Sequence, residues 1–243
     1  MRHTDSTPPK VPATPKELAS FIDHTLLKAD ATETMIEALC NEALVHHFYA
    51  VCVNGAHVKK AREFLGSNQG VKVAAVVGFP LGAMTTRAKV FEAEQAVMDG
   101  ASEIDMVLRI DLVKTKSWGA LRSDVAAVVE AVRGRAIVKV ILETGLLSLD
   151  EIAAAARTCD EGGAHFVKTC TGFSTSGFPA GAATPQHIAL MRDSVRAHVR
   201  IKASGGVRDF KTAQALIAAG ASRLGTSSGV ALVTEKQITT EGY

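Results

Sequence analysis

Eight short runs rich in β-branched and other apolar residues recur along the chain, each followed by a longer stretch with helix signals, and this alternation constrains the fold most. The runs fall at 20–24, 49–53, 71–78, 103–109, 136–143, 165–170, 200–204 and 223–227. Between them, Leu121, Val125, Val128, Val129 and Val132 line one helical face. Thr14-Pro15-Lys16-Glu17, Ser148-Leu149-Asp150-Glu151 and Thr184-Pro185 read as helix starts, because a hydroxyl there can accept from the free N–H groups of the first turn. Gly100, Gly163 and Gly220 each stand just ahead of a run, where glycine supplies the left-handed helix stop. Strand then helix, eight times, predicts a single-domain α/β fold, the closed TIM (β/α)8 barrel. An open doubly wound sheet shares this punctuation and is the alternative.

A chain of 243 residues, 47% of them apolar, is long enough for one large core. The barrel is expected over 15–235, behind a disordered lead-in at 1–14 and ahead of a flexible tail at 236–243. Lys and Arg total 27 against 25 Asp and Glu, without a basic run carrying interleaved aromatics, which argues against a nucleic-acid partner. No run approaches ~18 consecutive apolar residues, which argues against a membrane span. Cys40, Cys52, Cys159 and Cys170 lie in apolar segments without CxxC spacing, the pattern of reduced thiols in a cytoplasmic protein. The histidines form no HExxH or other metal spacing, so no metal is expected, and the partner is expected to be a small molecule.

Two lysines interrupt apolar strands: Lys168 in Phe166-Val167-Lys168-Thr169-Cys170 and Lys202 in Ile201-Lys202-Ala203-Ser204. A buried ammonium is costly unless paired, so each needs a partner or a task. Neighbouring strands add Lys139 and Asp105, and barrel chemistry gathers at C-terminal strand ends. Such a set suits imine formation. A lysine of ordinary pKa, about 10.4, is a free amine only roughly once in ~2,500 molecules at pH 7. A second ammonium ~4 Å away, at an effective dielectric of ~20, opposes the charge by about 4 kcal/mol, close to the ~4.6 kcal/mol needed. The alternative is structural: one lysine paired with Asp105 or Glu143, the other snorkelling to a rim. Lys72, at a strand start, reads as structural.

Weaker signals surround this set. Asp23 ends the first expected strand, where it could bind a substrate hydroxyl or cap a turn, and Cys52 reads as a small core residue. Thr171-Gly172, Ser204-Gly205-Gly206 and Ser227-Ser228 follow three late strands, and loops after strands 7 and 8 of a barrel commonly hold a phosphate.

Taken together, Phe21-Ile22-Asp23-His24-Thr25, Val51-Cys52-Val53-Asn54, Gly78-Phe79-Pro80-Leu81-Gly82, Glu103-Ile104-Asp105-Met106-Val107, Lys139-Val140-Ile141-Leu142-Glu143-Thr144, Val167-Lys168-Thr169, Lys202-Ala203-Ser204-Gly205-Gly206 and Gly225-Thr226-Ser227-Ser228-Gly229 resemble the motifs of the deoxyribose-phosphate aldolase family. The resemblance implies Lys168 as the imine-forming lysine, Lys202 as the neighbour that lowers its pKa, and Asp105 as the acid/base partner. It implies that Asp23, Thr25 and Thr171 bind substrate, that Cys52 and Lys139 line the pocket, and that Gly172, Gly205, Gly206, Ser227 and Ser228 hold the phosphate. It also implies a proton-transfer role for Tyr243 and a homodimer or homotetramer. Departures from the family pattern include Cys170 in place of a serine and a lengthened loop after Phe173. The reaction the resemblance implies is reversible cleavage of 2-deoxy-D-ribose 5-phosphate to D-glyceraldehyde 3-phosphate and acetaldehyde, without a metal or organic cofactor, drawn with the break at C3–C4. The alternatives are another imine-forming barrel lyase or transferase, or a non-catalytic sugar-phosphate-binding barrel.

Overall fold

Every one of the eight apolar runs forms a strand in the structure, a computed structural model that describes residues 9–67, 70–173 and 181–234. The strands are β1 (Ile22–Leu26), β2 (Ala50–Val53), β3 (Lys72–Val77), β4 (Glu103–Val107), β5 (Ile137–Ile141), β6 (Phe166–Lys168), β7 (Arg200–Ser204) and β8 (Arg223–Thr226). They pair in sequence order, all parallel, and β8 returns to β1 to close the barrel. Closure of a parallel sheet leaves two surfaces with different demands: an outer one covered by helices and a narrow inner one that side chains must fill.

Around the sheet lie α1 (Pro15–Leu18), α2 (Glu33–His46), α3 (Val58–Leu65), α4 (Thr86–Met98), α5 (Ile110–Lys114), α6 (Trp118–Ala131), α7 (Leu149–Glu161), α8 (Pro185–Ser194), α9 (Phe210–Ala218) and α10 (Gly229–Thr234). Their starts are capped as the sequence predicts. The Thr14 hydroxyl accepts from Glu17 N at 3.3 Å, the Thr184 hydroxyl from His187 N at 3.1 Å, and Ser148 with Glu151 forms a reciprocal capping box. Gly100, Gly163 and Gly220 have φ of 108°, 86° and 119°, the left-handed region that their helix stops require.

Outward residues of the strands, among them Ile104, Met106, Val138, Val140, Val167 and Ile201, pack with Leu121, Val125 and Val128 of α6 and Ile152 and Ala155 of α7 into one continuous core. Full burial of each such aliphatic side chain is worth about 1.5–3 kcal/mol. Polar contacts also cross this layer, among them that of Lys89. Lys89 of α4 is fully buried, and its Nζ donates to Asp124 Oδ2 and to the Val107 carbonyl, both at 2.9 Å, while Thr86 holds the other Asp124 oxygen at 2.6 Å. This lysine therefore ties α4 to α6 and to the end of β4.

Two local differences from the sequence reading stand out. The first strand lies at 22–26 and not 20–24, because Ala19–Phe21 continue α1 as a 3₁₀ turn; Asp23 consequently sits near the strand's start instead of its end. Of the lead-in, residues 9–14 are described: Pro12 is buried and its carbonyl accepts from Gln214 of α9 at 2.9 Å. The tail at 236–243 lies outside the described residues. Among the described residues, no helix is long and apolar enough to cross a membrane.

Candidate active site

Alternate strand residues share a face, so the residues that fill the barrel's interior follow from register. β4 contributes Glu103 and Asp105, β5 Lys139, β6 Lys168, β7 Lys202, β8 Arg223 and β1 Asp23. Asp105 stands beside Lys139, Lys168 beside Lys202, and Lys202 beside Arg223. Four cations thus stand on the consecutive strands β5 to β8, flanked by the carboxylates of β4 and β1, and long side chains let them meet.

Their contacts close into a ring. Asp105 Oδ1 accepts from Lys139 Nζ at 2.6 Å, and Lys139 also pairs with Glu103 Oε2 at 2.6 Å. Glu103 Oε2 lies 3.3 Å from Arg223 Nη1, which donates to Asp23 Oδ1 at 2.8 Å. Asp23 Oδ2 accepts from Lys202, and Lys202 returns to Asp105 Oδ2 at 2.8 Å. Lys168 stands outside the ring, bound to the same Asp105 Oδ2 at 2.8 Å. The Lys168 and Lys202 nitrogens are therefore no farther apart than these two bonds laid end to end. All seven side chains are at most 4% exposed.

Burial alone would raise the Asp105 carboxyl, but the ammonium groups of Lys139, Lys168 and Lys202 outweigh it and hold Asp105 well below the usual carboxylate range. Asp23 is likewise held low, with burial overcome by Lys202, Arg223 and Lys139. For Lys202, burial favours the neutral amine, yet Asp105 and Asp23 push it above an ordinary lysine; Lys139 is raised in the same way by Asp105 and Glu103. Lys202 is a permanent cation beside Lys168.

The opposite wall of the interior is apolar. Cys52 of β2 and Ala74 and Val76 of β3 cluster with Leu27, and Phe79 and Phe173 pack on them. The two phenylalanine rings meet edge to face, with centroids 5.2 Å apart. Burial and the charge of Asp105 raise the Cys52 thiol, so it remains protonated.

At the C-terminal rim, the loops after β5, β6 and β7 touch backbone to backbone. A Cβ on Gly145 would stand 3.2 Å from Gly181 Cα, and one on Gly205 only 2.3 Å from the Gly181 carbonyl oxygen. Gly205 and Gly206 have φ of 89° and 73°, and Gly172 has φ of 83° with open space around it. Ser227 is exposed and Ser228 half-buried at the end of β8, beside this loop. Gly225 of β8 leaves room for Lys202: a Cβ there would lie 3.1 Å from Lys202 Cε. Glu143 follows β5 with φ of 57°, buried, its Oε2 accepting from the Thr171 N–H and hydroxyl and its Oε1 without a partner. Burial raises its carboxyl, against the Thr171 hydrogen bonds.

The structure brings Lys168, Lys202, Asp105, Lys139 and Asp23 together, with Cys52 and Thr25 on adjacent strands. Thr25, half-buried, donates its hydroxyl to the Asp23 carbonyl at 2.9 Å. Asp23 is fully buried, with both oxygens bound by Lys202 and Arg223. The snorkelling alternative fails, since Lys202 is fully buried. Sequence reasoning missed Glu103 and Arg223. Glu103 is two residues from Asp105, and this period of two was the available signal; for Arg223 none was. Tyr243 lies outside the described residues. Among the described residues, no group of three or more His, Cys, Asp or Glu side chains is placed to hold a metal ion.

A closed parallel barrel with a lysine pair on one buried carboxylate is the architecture of a lysine-dependent aldolase, and the chain matches the DeoC/LacD family aldolase model over residues 18–234. It belongs to that family. Among its relatives, the deoxyribose-phosphate aldolase of Alkaliphilus oremlandii is 52% identical over 226 residues, covering 93% of this chain and 99% of the relative. That of Brevibacillus brevis is 51% identical over 223 residues, covering 92% and 98%. Among solved structures, the tetrameric deoxyribose phosphate aldolase of Aeropyrum pernix superposes with a TM-score of 0.83 at 31% identity, covering 93% of both chains.

Proposed function

We propose that this barrel catalyses the reversible aldol cleavage of 2-deoxy-D-ribose 5-phosphate to D-glyceraldehyde 3-phosphate and acetaldehyde, through an imine on Lys168. The observation that carries the reading is the placement of Lys168 and Lys202 on one oxygen of Asp105 in a family of aldolases. A nucleophilic amine must be uncharged, and a fixed ammonium beside it disfavours a second charge.

Lys168 attacks the C1 aldehyde of the open-chain sugar, and loss of water gives a protonated imine. The products fix the bond that then breaks as C2–C3, correcting the C3–C4 break drawn from sequence: C1 and C2 leave as acetaldehyde and C3 to C5 as the triose phosphate. Its electron pair moves into the imine, giving an enamine, while the C3 hydroxyl loses its proton. Protonation at C2 and hydrolysis release acetaldehyde and restore the amine. In the free enzyme Asp105 is a weak base, because three ammonium groups occupy it. Conversion of Lys168 to an imine changes one of those contacts, and Asp105 with Lys202 and water then moves the protons.

The backbone of Gly172, Gly205 and Gly206 and the hydroxyls of Ser227 and Ser228 bind the phosphate in this reading, with Thr25 and Thr171 on the sugar hydroxyls. Lys139 supports Asp105 from below, Cys52 belongs to the apolar wall, and Tyr243 assists protonation at C2. The reaction needs no metal or organic cofactor. Phe91 and Met98, 69% and 65% exposed along one side of α4, offer an apolar stripe for a homodimer or homotetramer, which light scattering tests. The four cysteines are free thiols, in keeping with a cytoplasmic enzyme. Incubation with acetaldehyde and borohydride tests the central claim: a reduced two-carbon adduct must form on Lys168 and be absent from Lys168→Ala. A folded wild type that gains no mass refutes it.

A further inference from the structure

The charged ring divides its members into two halves. Asp105 and Lys202 meet Lys168 or its carboxylate partner directly, whereas Glu103 and Arg223 lie at the strand starts of β4 and β8, one layer below. We infer that Glu103 and Arg223 are positioning residues that act through Lys139 and Asp23 to set how readily Lys168 becomes a free amine. This inference rests on the reading of Lys168 as the imine-forming residue.

The argument begins with counting charges. Asp105, Glu103 and Asp23 alternate with Lys139, Arg223 and Lys202, three carboxylates with three cations, each side chain bridging its two neighbours. The ring is electrically closed. Lys168 is the seventh group, and its ammonium adds a positive charge that no carboxylate in the ring is left to balance. In a site this buried, each charge of the ring acts on Lys168 with little screening, so removing one changes the balance between its ammonium and its amine. The same surplus makes a protonated imine on Lys168 a stronger electron sink.

Other groups face Lys168 as well, and they are unchanged when Glu103 or Arg223 is replaced. From β1 and β7 come Asp23 and Lys202, from β2 the protonated Cys52, and from β4 and β5 Asp105 and Lys139. Glu143, beyond β5, lies within electrostatic reach of Lys168; burial raises its carboxyl, against the hydrogen bonds of Thr171 and the charge of Lys168. The inner face of β3 carries the apolar Ala74 and Val76, with Lys72 at the strand start. Arg223 is itself fixed by the Tyr49 ring, 3.3 Å from its guanidinium carbon, and by Phe166, at 5.6 Å. A planar cation stacked between rings and two carboxylates can hold the ring's geometry while remaining charged.

Because the two residues bear opposite charges, their removal must have opposite effects, which a merely structural role would not produce. The experiment measures kcat/KM for cleavage against pH in the full-length enzyme, for wild type, Glu103→Gln, Arg223→Gln and the double variant. Loss of the Glu103 charge leaves more surplus positive charge, so the acid limb moves to lower pH by roughly half a unit to one unit. Loss of the Arg223 charge moves it to higher pH by a similar amount, and the double variant returns toward wild type. Arg223→Lys keeps the charge but not the fork, and must leave the limb at the wild-type position even if Arg223→Gln folds poorly. Shifts of the same sign in both single variants, no shift in either, or a displaced limb in Arg223→Lys would overturn the inference. Borohydride trapping with acetaldehyde runs in parallel: adduct on Lys168 with limbs that do not diverge sinks the ring alone, whereas no adduct in wild type sinks the aldolase reading beneath it.

Discussion

Replacing Asp105 by asparagine keeps the side chain's shape and removes the charge that three ammonium groups share at 2.6, 2.8 and 2.8 Å. Each such contact is worth about 6 kcal/mol at an effective dielectric of ~20 before desolvation is set against it. Breaking a buried pair costs about 3–5 kcal/mol net, because a charge is left without a partner. At ~2–4 °C per kcal/mol for a domain of this size, the melting temperature should fall by about 6–20 °C at neutral pH. The pH dependence has a definite sign. Asp105 is held below its unfolded value of about 3.9, so its contribution is fully present above that value and is lost as pH falls through the lower folded one. The gap between wild type and Asp105→Asn should therefore be widest above about pH 5 and narrow in stronger acid. Turnover should drop by ~10²-fold or more, while the Lys168 adduct with acetaldehyde still forms, since removing the carboxylate favours the free amine. Melting scans across pH, steady-state cleavage and borohydride trapping read these three effects. A folded Asp105→Asn enzyme within a few-fold of wild-type turnover would refute the proton-transfer role, and a gap that widens in acid would refute the electrostatic account.

Three further outcomes are expected. Lys168→Ala should abolish cleavage yet leave the melting temperature within a few degrees, because the six-membered ring stays balanced, whereas Lys202→Met should lower it by about 6–20 °C; calorimetry of the pair separates the two lysines. Gly225→Ala puts a methyl 3.1 Å from Lys202 Cε and should reduce kcat by ~10-fold with KM little changed, as displacement of Lys202 misaligns the amine pair. Glu143 has a raised carboxyl, so its contribution to stability is complete below the unfolded value of about 4.3 and is lost as pH rises through the folded one. Glu143→Gln should therefore gain in melting temperature relative to wild type as pH rises above about 4, and a constant difference would count against that burial argument.

The barrel was legible because its local signals agree: β-branched runs, hydroxyl caps and glycine stops all mark the same boundaries. Lys168, Lys202 and Asp105 were legible because charge inside an apolar strand is expensive and so conspicuous. Glu103 and Arg223 were not, since a charged residue at a strand start reads as rim, as Lys72 does. Only closure of β8 onto β1 carries Arg223 inward to Asp23. Lys89 escaped notice for a different reason: a lysine on an amphipathic helix normally faces water, and its burial depends on Asp124, which belongs to another helix. The displaced first strand shows the limit of apolarity as a guide, because Phe21 and Ile22 suit a helical turn's end as well as a strand.

Gly145, Gly181 and Gly205 meet at one point of the rim, where a side chain on Gly205 has no space and one on Gly145 would be tight against Gly181. Segments far apart in the chain are thereby locked into a single mechanical unit. Recasting this enzyme for a different aldehyde by exchanging one rim loop would disturb the other two, so a successful redesign must transplant all three together or confine its changes to the Cys52 and Val76 side of the mouth.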